Sequence, residues 1–190
     1  MAFATAAGAG LVTTAFVSTG SLPERLAWIA AALLIELRLI TNLLDGMVAV
    51  EGGKLSPLGG LFNEAPDRLS DVVVLVGLGY ASGGSAAAGF AASIGALLTA
   101  YVRALGVTLG ARNHFAGPLA KPHRMHLVAA LSAVMAFAPA AWREHNIVEA
   151  VLWVVAGLCV MTVINRLRLI VIDLSDKSNQ EFLPDERRRP

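Results

Sequence analysis

Charged residues are scarce in this chain of 190 residues: Asp, Glu, Lys and Arg together make up 15%. A typical soluble domain carries about 25%. Apolar residues make up 56%, and the mean hydropathy is +0.64. So little charge excludes an ordinary soluble domain and indicates an integral membrane protein. The net charge of +1 gives no support to nucleic-acid binding, and we expect none.

Cysteine is almost absent: Cys159 is the only one in the sequence. One thiol excludes an intramolecular disulfide, and its apolar surroundings in the sequence indicate a small packing residue. The sequence offers no pattern for a Ser-His-Asp or Cys-His nucleophile. It also lacks the basic segment that opens a signal peptide, so we interpret residues 1–17 as a membrane span.

Long apolar runs dominate the rest of the chain. We place six spans at approximately 2–18, 26–46, 68–82, 86–110, 125–142 and 147–172. Each is near the ~20 residues that cross a bilayer core, although the third is short. The sequence therefore predicts an all-α integral membrane protein with six transmembrane helices in one bundle. Residues 1–174 would form this domain, and residues 175–190 a polar, disordered tail.

The positive charges predict the orientation. Six spans place both termini on one side, and that side holds most of the basic residues: Lys54, Arg68, Arg112, Lys121, Arg124, Lys177 and Arg187 to Arg189. Cytoplasmic segments carry such an excess of Lys and Arg. We therefore expect a multi-pass protein of an inner membrane, as in bacteria, with its polar stretch 42–71 on the cytoplasmic side.

The stretch 42–71 concentrates polar residues between two apolar segments. Its two halves have helical spacing, and a link rich in glycine and proline between them can reverse the chain. Two helix ends would then present oxygen atoms to one space, from Asn42, Asp45, Asn63, Asp67 and Asp71. Clusters of oxygen ligands suit a hard cation, so we predict Mg or Mn.

The same stretch resembles the signature of the CDP-alcohol phosphatidyltransferases. That family carries Asp-x2-Asp-Gly-x2-Ala-Arg, and then Gly-x3-Asp-x3-Asp. This chain reads Asn42-x2-Asp45-Gly46-x2-Ala49-Val50, then Gly59-x3-Asn63-x3-Asp67, with matching spacing. Asn42 and Asn63 stand where the family has aspartates, and Val50 where it has arginine.

The resemblance implies an enzyme of phospholipid synthesis. It would move a phosphatidyl group from a CDP-linked lipid, such as CDP-diacylglycerol, to the hydroxyl of a small polar alcohol, and release CMP. Carried over by position, Asp45 would be a metal ligand and Asp67 a ligand and the general base. Asn42 and Asn63 would fill the other ligand positions, and a homodimer among membrane lipids is implied.

The resemblance also implies that the nucleotide lies against small residues of the motif, which allow close backbone approach. These positions are Gly46, Ala49, Ser56 and Gly59. Asp71, one turn beyond Asp67, either extends the metal cluster or pairs with a cation.

Four basic residues are candidate phosphate contacts: Arg38, Arg103, Lys121 and Arg124. Arg38 shares the helix face of Asn42, and could orient a carboxylate, meet a phosphate or extend to the interface. Arg103 could bind a phosphate or form a structural ion pair. Lys121 and Arg124 belong to a basic loop that could hold a substrate phosphate or contact anionic lipid.

The changed motif leaves a second function open. A catalytically inactive membrane homologue could bind nucleotide or lipid, or act as a scaffold for a partner. An asparagine carbonyl can coordinate Mg but brings no charge, so Asn42 and Asn63 would weaken a second metal most. Glu64 and Asp71 could compensate.

Overall fold

The computed structural model describes residues 1–51, 57–114, 117 and 121–181 of the chain, except for the side chains at positions 46, 48–51, 57–60, 62, 63, 121, 122, 143, 144 and 178–181. Within these residues the regular structure is entirely α-helical, which confirms the predicted class. The helices are α1 (Ala2–Thr13), α2 (Leu22–Glu51), α3 (Pro57–Gly79), α4 (Ala86–Thr108), α5 (Lys121–Phe137), α6 (Ala141–Glu144) and α7 (Ile147–Glu181).

Three helical segments in the described part of the chain are long and apolar enough to cross a membrane. They cover 22–45 in α2, 86–108 in α4 and 147–177 in α7. Two further apolar segments, 2–13 and 123–137, are shorter. A helix lies at each of the six predicted spans, and the six-span count remains a prediction.

Two helix boundaries differ from the sequence prediction. α3 begins at Pro57, so that Gly59 and Gly60 are helical and Pro66 lies inside the helix instead of in its first turn. The rest of the link predicted to reverse the chain, residues 52–56, lies outside the described residues. α7 continues to Glu181, beyond the end of the predicted span near residue 172. Residues 182–190 of the predicted tail lie outside the described part.

The helices pack in neighbouring pairs. α4 lies along α7, α2 along α5, and α1 contacts both α2 and α3, which in turn packs on α4. The contact between α3 and α4 is backbone to backbone, because a Cβ added at Gly79 would lie 2.8 Å from the Cα of Gly89. Small residues permit this closeness in lipid, as predicted for the fourth span.

An apolar core holds the bundle together on one side of the polar stretch. Its largest fully buried apolar side chains come from several helices: Leu11, Trp28, Ile35, Leu75, Leu78, Met125, Met135 and Leu152. Next to Ile35, Leu75 and Met125 the buried side chains become charged, and the candidate site begins there. Its buried charges are Arg38 and Asp71, each about one helical turn away, and Arg124, which directly precedes Met125.

Candidate active site

Asp67 joins the two halves of the motif. Arg38 Nη2 donates to Asp67 Oδ1 over 3.1 Å and to the Asp67 carbonyl over 3.0 Å. Asn42 Nδ2 donates to Asp67 Oδ2 over 3.0 Å. The helical spacing of Arg38 and Asn42 places both on the face of α2 that meets α3. Both oxygens of the Asp67 carboxylate thus accept a hydrogen bond, and the residue is 9% exposed.

Asp71 lies one turn deeper and faces two guanidinium groups. Arg124 Nη2, from α5, donates to its Oδ2 over 2.6 Å. Arg38 Nη2 lies 3.0 Å from its Oδ1, at an angle that gives an ion pair without a hydrogen bond. Asp71 and Arg124 are each 1% exposed, so the pair is screened very little by solvent. The structure therefore favours the alternative in which Asp71 pairs with a cation.

Two buried donors in this network have no hydrogen-bond partner among the described residues. They are Nη1 of Arg38 and Nε of Arg124. Buried donors of charged groups are normally paired, because an unmade bond costs the desolvation of that group. Both atoms are therefore candidates for contact with a bound acceptor.

Glu64 organises a second group of arginines, one turn before Asp67. It accepts from Arg103 Nη2 over 2.9 Å and also from Arg68 Nη2. Burial alone would raise the pKa of Glu64, but the bonds and charges of Arg68 and Arg103 outweigh it and hold that pKa below its ordinary value. A groove of about 780 Å³ between α3 and α4 is lined by these three residues and by apolar side chains such as Leu97 and Tyr101.

Arg166 on α7 completes the basic side of the site, and the sequence analysis missed it. It is 6% exposed, and its Nη1 donates to the Thr99 carbonyl over 2.6 Å. It lies within electrostatic range of Arg68, Arg103 and Arg124. An arginine inside a predicted span is by itself a signal of function, and that signal was present in the sequence.

A further ion cluster ties the segment after α4 to α7. Arg112 Nη2 and His114 Nε2 each lie 2.8 Å from Asp173, and Lys177 Nζ donates to the Gly110 carbonyl. The hydrogen bond from Arg112 to Asp173 raises the pKa of Arg112. These contacts use backbone and paired side chains, so we interpret the cluster as structural.

The remaining predicted site residues are placed as follows. Asp45 is exposed on α2, where the backbone of Gly46 and Ala49 is also helical. Gly59 and Asn63 are part of α3. The side chains of Ala49, Asn63 and Lys121, and the whole of Ser56, lie outside the described residues.

Arg124 corrects one sequence prediction. It was assigned to a basic loop, but α5 begins at Lys121, so Arg124 lies in the first turns of a helix. It points into the bundle and is buried against Asp71. Because its guanidinium is not on the surface, the anionic-lipid role is wrong for Arg124.

The described side chains present few oxygen ligands to a divalent ion. No group of three His, Cys, Asp or Glu placed to hold a metal occurs among them. The Asp67 and Asp71 carboxylates already face Arg38 and Arg124, whereas the exposed Asp45 carboxylate and the Asn42 carbonyl oxygen lie on one helix face. Those two oxygens, with oxygens brought by a substrate, suit a single hard cation.

No family model matches the chain, but two curated sequences are similar to it. It is 27% identical over 137 residues to the inner membrane protein YnbA of Escherichia coli strain K12. That match covers 72% of this chain and 66% of YnbA. The chain is 33% identical over 106 residues to the archaetidylinositol phosphate synthase of Aeropyrum pernix, which covers 56% and 54% respectively. The matched region thus spans less than two thirds of either relative's own length.

The fold is similar to that of a solved enzyme. The chain superimposes on the Mycobacterium tuberculosis phosphatidylinositol phosphate synthase, whose structure contains bound CDP-DAG, with a TM-score of 0.68 and 22% identity. The match covers 89% of this chain and 82% of that one. The likeness shows that this chain has the fold of that synthase, and together with the sequence relatives it points to the CDP-alcohol phosphatidyltransferase family.

Proposed function

We propose that this chain is a membrane transferase of phospholipid synthesis. It moves a phosphatidyl group from a CDP-linked lipid donor to the hydroxyl of a small polar alcohol and releases CMP. The observation that carries the proposal is the contact between Asn42 and Asp67, 3.0 Å across the α2–α3 junction. It brings the two halves of the motif together in a fold shared with a synthase that binds CDP-DAG.

The reaction requires a base for the attacking hydroxyl, and Asp67 is proposed for that role. Arg38 and Asn42 hold its carboxylate in one orientation, and each oxygen keeps lone pairs beyond these bonds. Asp67 takes the hydroxyl proton while the alcohol oxygen bonds to the lipid-bearing phosphorus. The bond from that phosphorus to the bridging oxygen breaks, and CMP leaves with the electron pair.

The nucleotide is proposed to lie against the small residues of the motif, Gly46, Ala49, Ser56 and Gly59. A divalent ion, Mg or Mn, would neutralise pyrophosphate oxygens when bound. Asp45 and the Asn42 carbonyl would hold it, together with Asn63 and Asp67 by analogy with the family. The site would face the cytoplasm of a six-span protein that assembles as a homodimer.

An acceptor that carries its own phosphate is favoured by the arginines. Arg103 on α4 and Arg124 on α5 both lie within electrostatic range of Arg166 on α7. Both named synthases to which this chain is similar make inositol phosphate lipids. Guanidinium groups bind phosphate through paired donors, so Arg103, Arg124 and Arg166, with Lys121, are proposed to hold the acceptor phosphate.

The test is release of CMP by the purified protein. CDP-diacylglycerol and Mg or Mn are incubated with inositol phosphate, glycerol phosphate, serine and unphosphorylated inositol. We expect CMP release with a phosphorylated alcohol that exceeds release with its unphosphorylated counterpart. Binding of CDP-diacylglycerol without CMP release for any acceptor would instead support the inactive homologue, which the guanidinium-bound carboxylates also favour.

A further inference from the structure

Arg38 is a buried cation in contact with the carboxylates of both Asp67 and Asp71. It is 4% exposed, and Nη2 lies 3.1 Å from Asp67 Oδ1 and 3.0 Å from Asp71 Oδ1. A divalent ion bound by these two aspartates would compete for the same oxygens. The Arg38 guanidinium therefore neutralises the Asp67 and Asp71 carboxylates, which a metal ion would otherwise have to do.

The network is neutral before any ligand arrives. Asp67 and Asp71 carry two negative charges, and Arg38 and Arg124 carry two positive charges, so the formal sum is zero. A neutral cluster exerts little Coulomb attraction on a second divalent ion. Asn42 and Asn63 remove charge from the positions that could have restored that attraction.

Arg38 also keeps one arm of its fork without a partner. Nη1 is buried and has no hydrogen-bond acceptor in the described part of the chain, while Nη2 is held by Asp67. A fixed guanidinium with an unpaired donor matches the oxygen of a phosphate, and the bond is charge-assisted. Because Asp67 and Asp71 fix the side chain, little conformational entropy is lost when the phosphate binds.

We propose that Arg38 is a built-in cation of the donor site. Its Nη1 contacts the pyrophosphate of the CDP-linked donor, and its Nη2 keeps Asp67 and Asp71 from serving as ligands of a second divalent ion. This inference rests on the proposed function for the identity of the donor. The effect of Arg38 on metal binding does not depend on the identity of the donor.

The first measurement follows Mn²⁺ binding to the detergent-solubilised protein without donor, by electron spin resonance. Arg38→Gln removes the competing charge while Asp67 keeps Asn42 and Asp71 keeps Arg124. We expect the variant to bind Mn²⁺ at least about tenfold more tightly than the wild type. Arg38→Lys keeps the charge and should bind Mn²⁺ as weakly as the wild type.

The matched control is Arg112→Gln, which breaks an arginine–aspartate pair with Asp173 away from the site. It should leave Mn²⁺ binding unchanged. Each variant is first checked by size-exclusion chromatography and thermal unfolding. If Arg38→Gln does not fold, the wild type and Arg38→Lys still decide the question through the second measurement.

The second measurement is calorimetric titration with CDP-diacylglycerol in EDTA and in Mn²⁺. The wild type should bind the donor in EDTA within about tenfold of its affinity in Mn²⁺, because Arg38 supplies a permanent positive charge. Arg38→Lys lacks the second arm of the guanidinium fork. In EDTA it should bind CDP-diacylglycerol at least about tenfold more weakly than the wild type does.

The outcomes separate the inference from the proposed function. Donor binding by the wild type that disappears in EDTA, or Arg38→Gln that folds and gains no Mn²⁺ affinity, would overturn the role of Arg38 and leave the transferase standing. Arg38-dependent donor binding without CMP release would support Arg38 and reject the transferase. Absence of donor binding under both conditions would overturn both.

Discussion

Asn42 and Asp67 are 25 residues apart in the chain and 3.0 Å apart in space, where the amide of one donates to the carboxylate of the other. This bond fixes the orientation of Asp67. It also uses an amide hydrogen of Asn42 and leaves the side-chain carbonyl oxygen of Asn42 for another partner. The roles of the two residues can be tested separately.

Asp67→Asn is expected to lower CMP release by about 10² or more, the usual contribution of a general base. Donor affinity should change less, because Asp67 acts on the hydroxyl. The measurement is kcat together with the dissociation constant for CDP-diacylglycerol. Asp176→Asn is the matched control, since Asp176 is exposed on α7, and its activity should equal that of the wild type. Activity of Asp67→Asn within a few-fold of the wild type would reject the base assignment.

Asp71→Asn is expected to damage stability more than Asp67→Asn does. Asp71 is the ion-pair partner of the buried Arg124 and a second partner of Arg38, so its loss leaves a buried charge uncompensated. Breaking one side of a buried pair costs about 3–5 kcal/mol. Thermal unfolding in detergent compares the two variants directly. Equal midpoints for both would show that the Asp71–Arg124 pair contributes little.

Asn42→Asp combined with Asn63→Asp is expected to strengthen Mn²⁺ binding without donor. Each added unit charge within about 4 Å of a cation contributes about 4 kcal/mol at an effective dielectric near 20, before desolvation. Turnover need not rise, since a metal bound too tightly stabilises the ground state as well. Electron spin resonance titration gives the number of bound ions. Two tightly bound ions in the free wild type would contradict the single-ion site.

Acid is expected to weaken the contact of Glu64 with Arg68 and Arg103. Its pKa is lowered in the folded protein, so the stabilisation is present above the ordinary value of 4.5 and is lost as the pH falls through the folded-state pKa. The difference in thermal midpoint between the wild type and Glu64→Gln should therefore shrink on acidification below 4.5. A difference that stays constant from neutral to acidic pH would show that Glu64 stabilises by packing alone.

Lys54 and Lys121 are expected to face the cytoplasm. Lys54→Cys and Lys121→Cys, each in a Cys159→Ser background, should resist an impermeant thiol reagent added to intact cells. Arg25→Cys and Arg143→Cys lie on the opposite side in the six-span arrangement and should be labelled. Labelling of residue 54 or 121 from outside would contradict that arrangement.

The sequence predicted the contact between the motif halves because helical periodicity is local. Arg38 and Asn42 are four residues apart, which puts them on one face, and Asp67 had to lie across the glycine-rich link. The pairing of Asp71 with Arg124 could not be predicted in the same way, because 53 residues separate them and only packing of α2, α3 and α5 brings them together.

Helix ends were the weakest part of the prediction. Glycine and proline usually break helices, yet α3 starts at Pro57 and includes Gly59 and Pro66. Proline fits the first turn of a helix, as at Pro57. Inside a membrane helix, as at Pro66, proline is tolerated because neighbouring helices can satisfy the backbone groups that it frees. Arg166 was missed because residues 147–172 were interpreted only as an apolar span, although a buried arginine there needed a partner.

The buried ion pairs also bear on how the chain enters the bilayer. α3 carries Asp67, Arg68 and Asp71, and it is not among the helices whose length and apolar composition suit independent insertion. Its charges meet partners on α2, which precedes it, and on α5, which follows it. Stable integration of α3 would therefore have to wait for Arg124 to emerge from the ribosome, which makes the third helix dependent on the fifth.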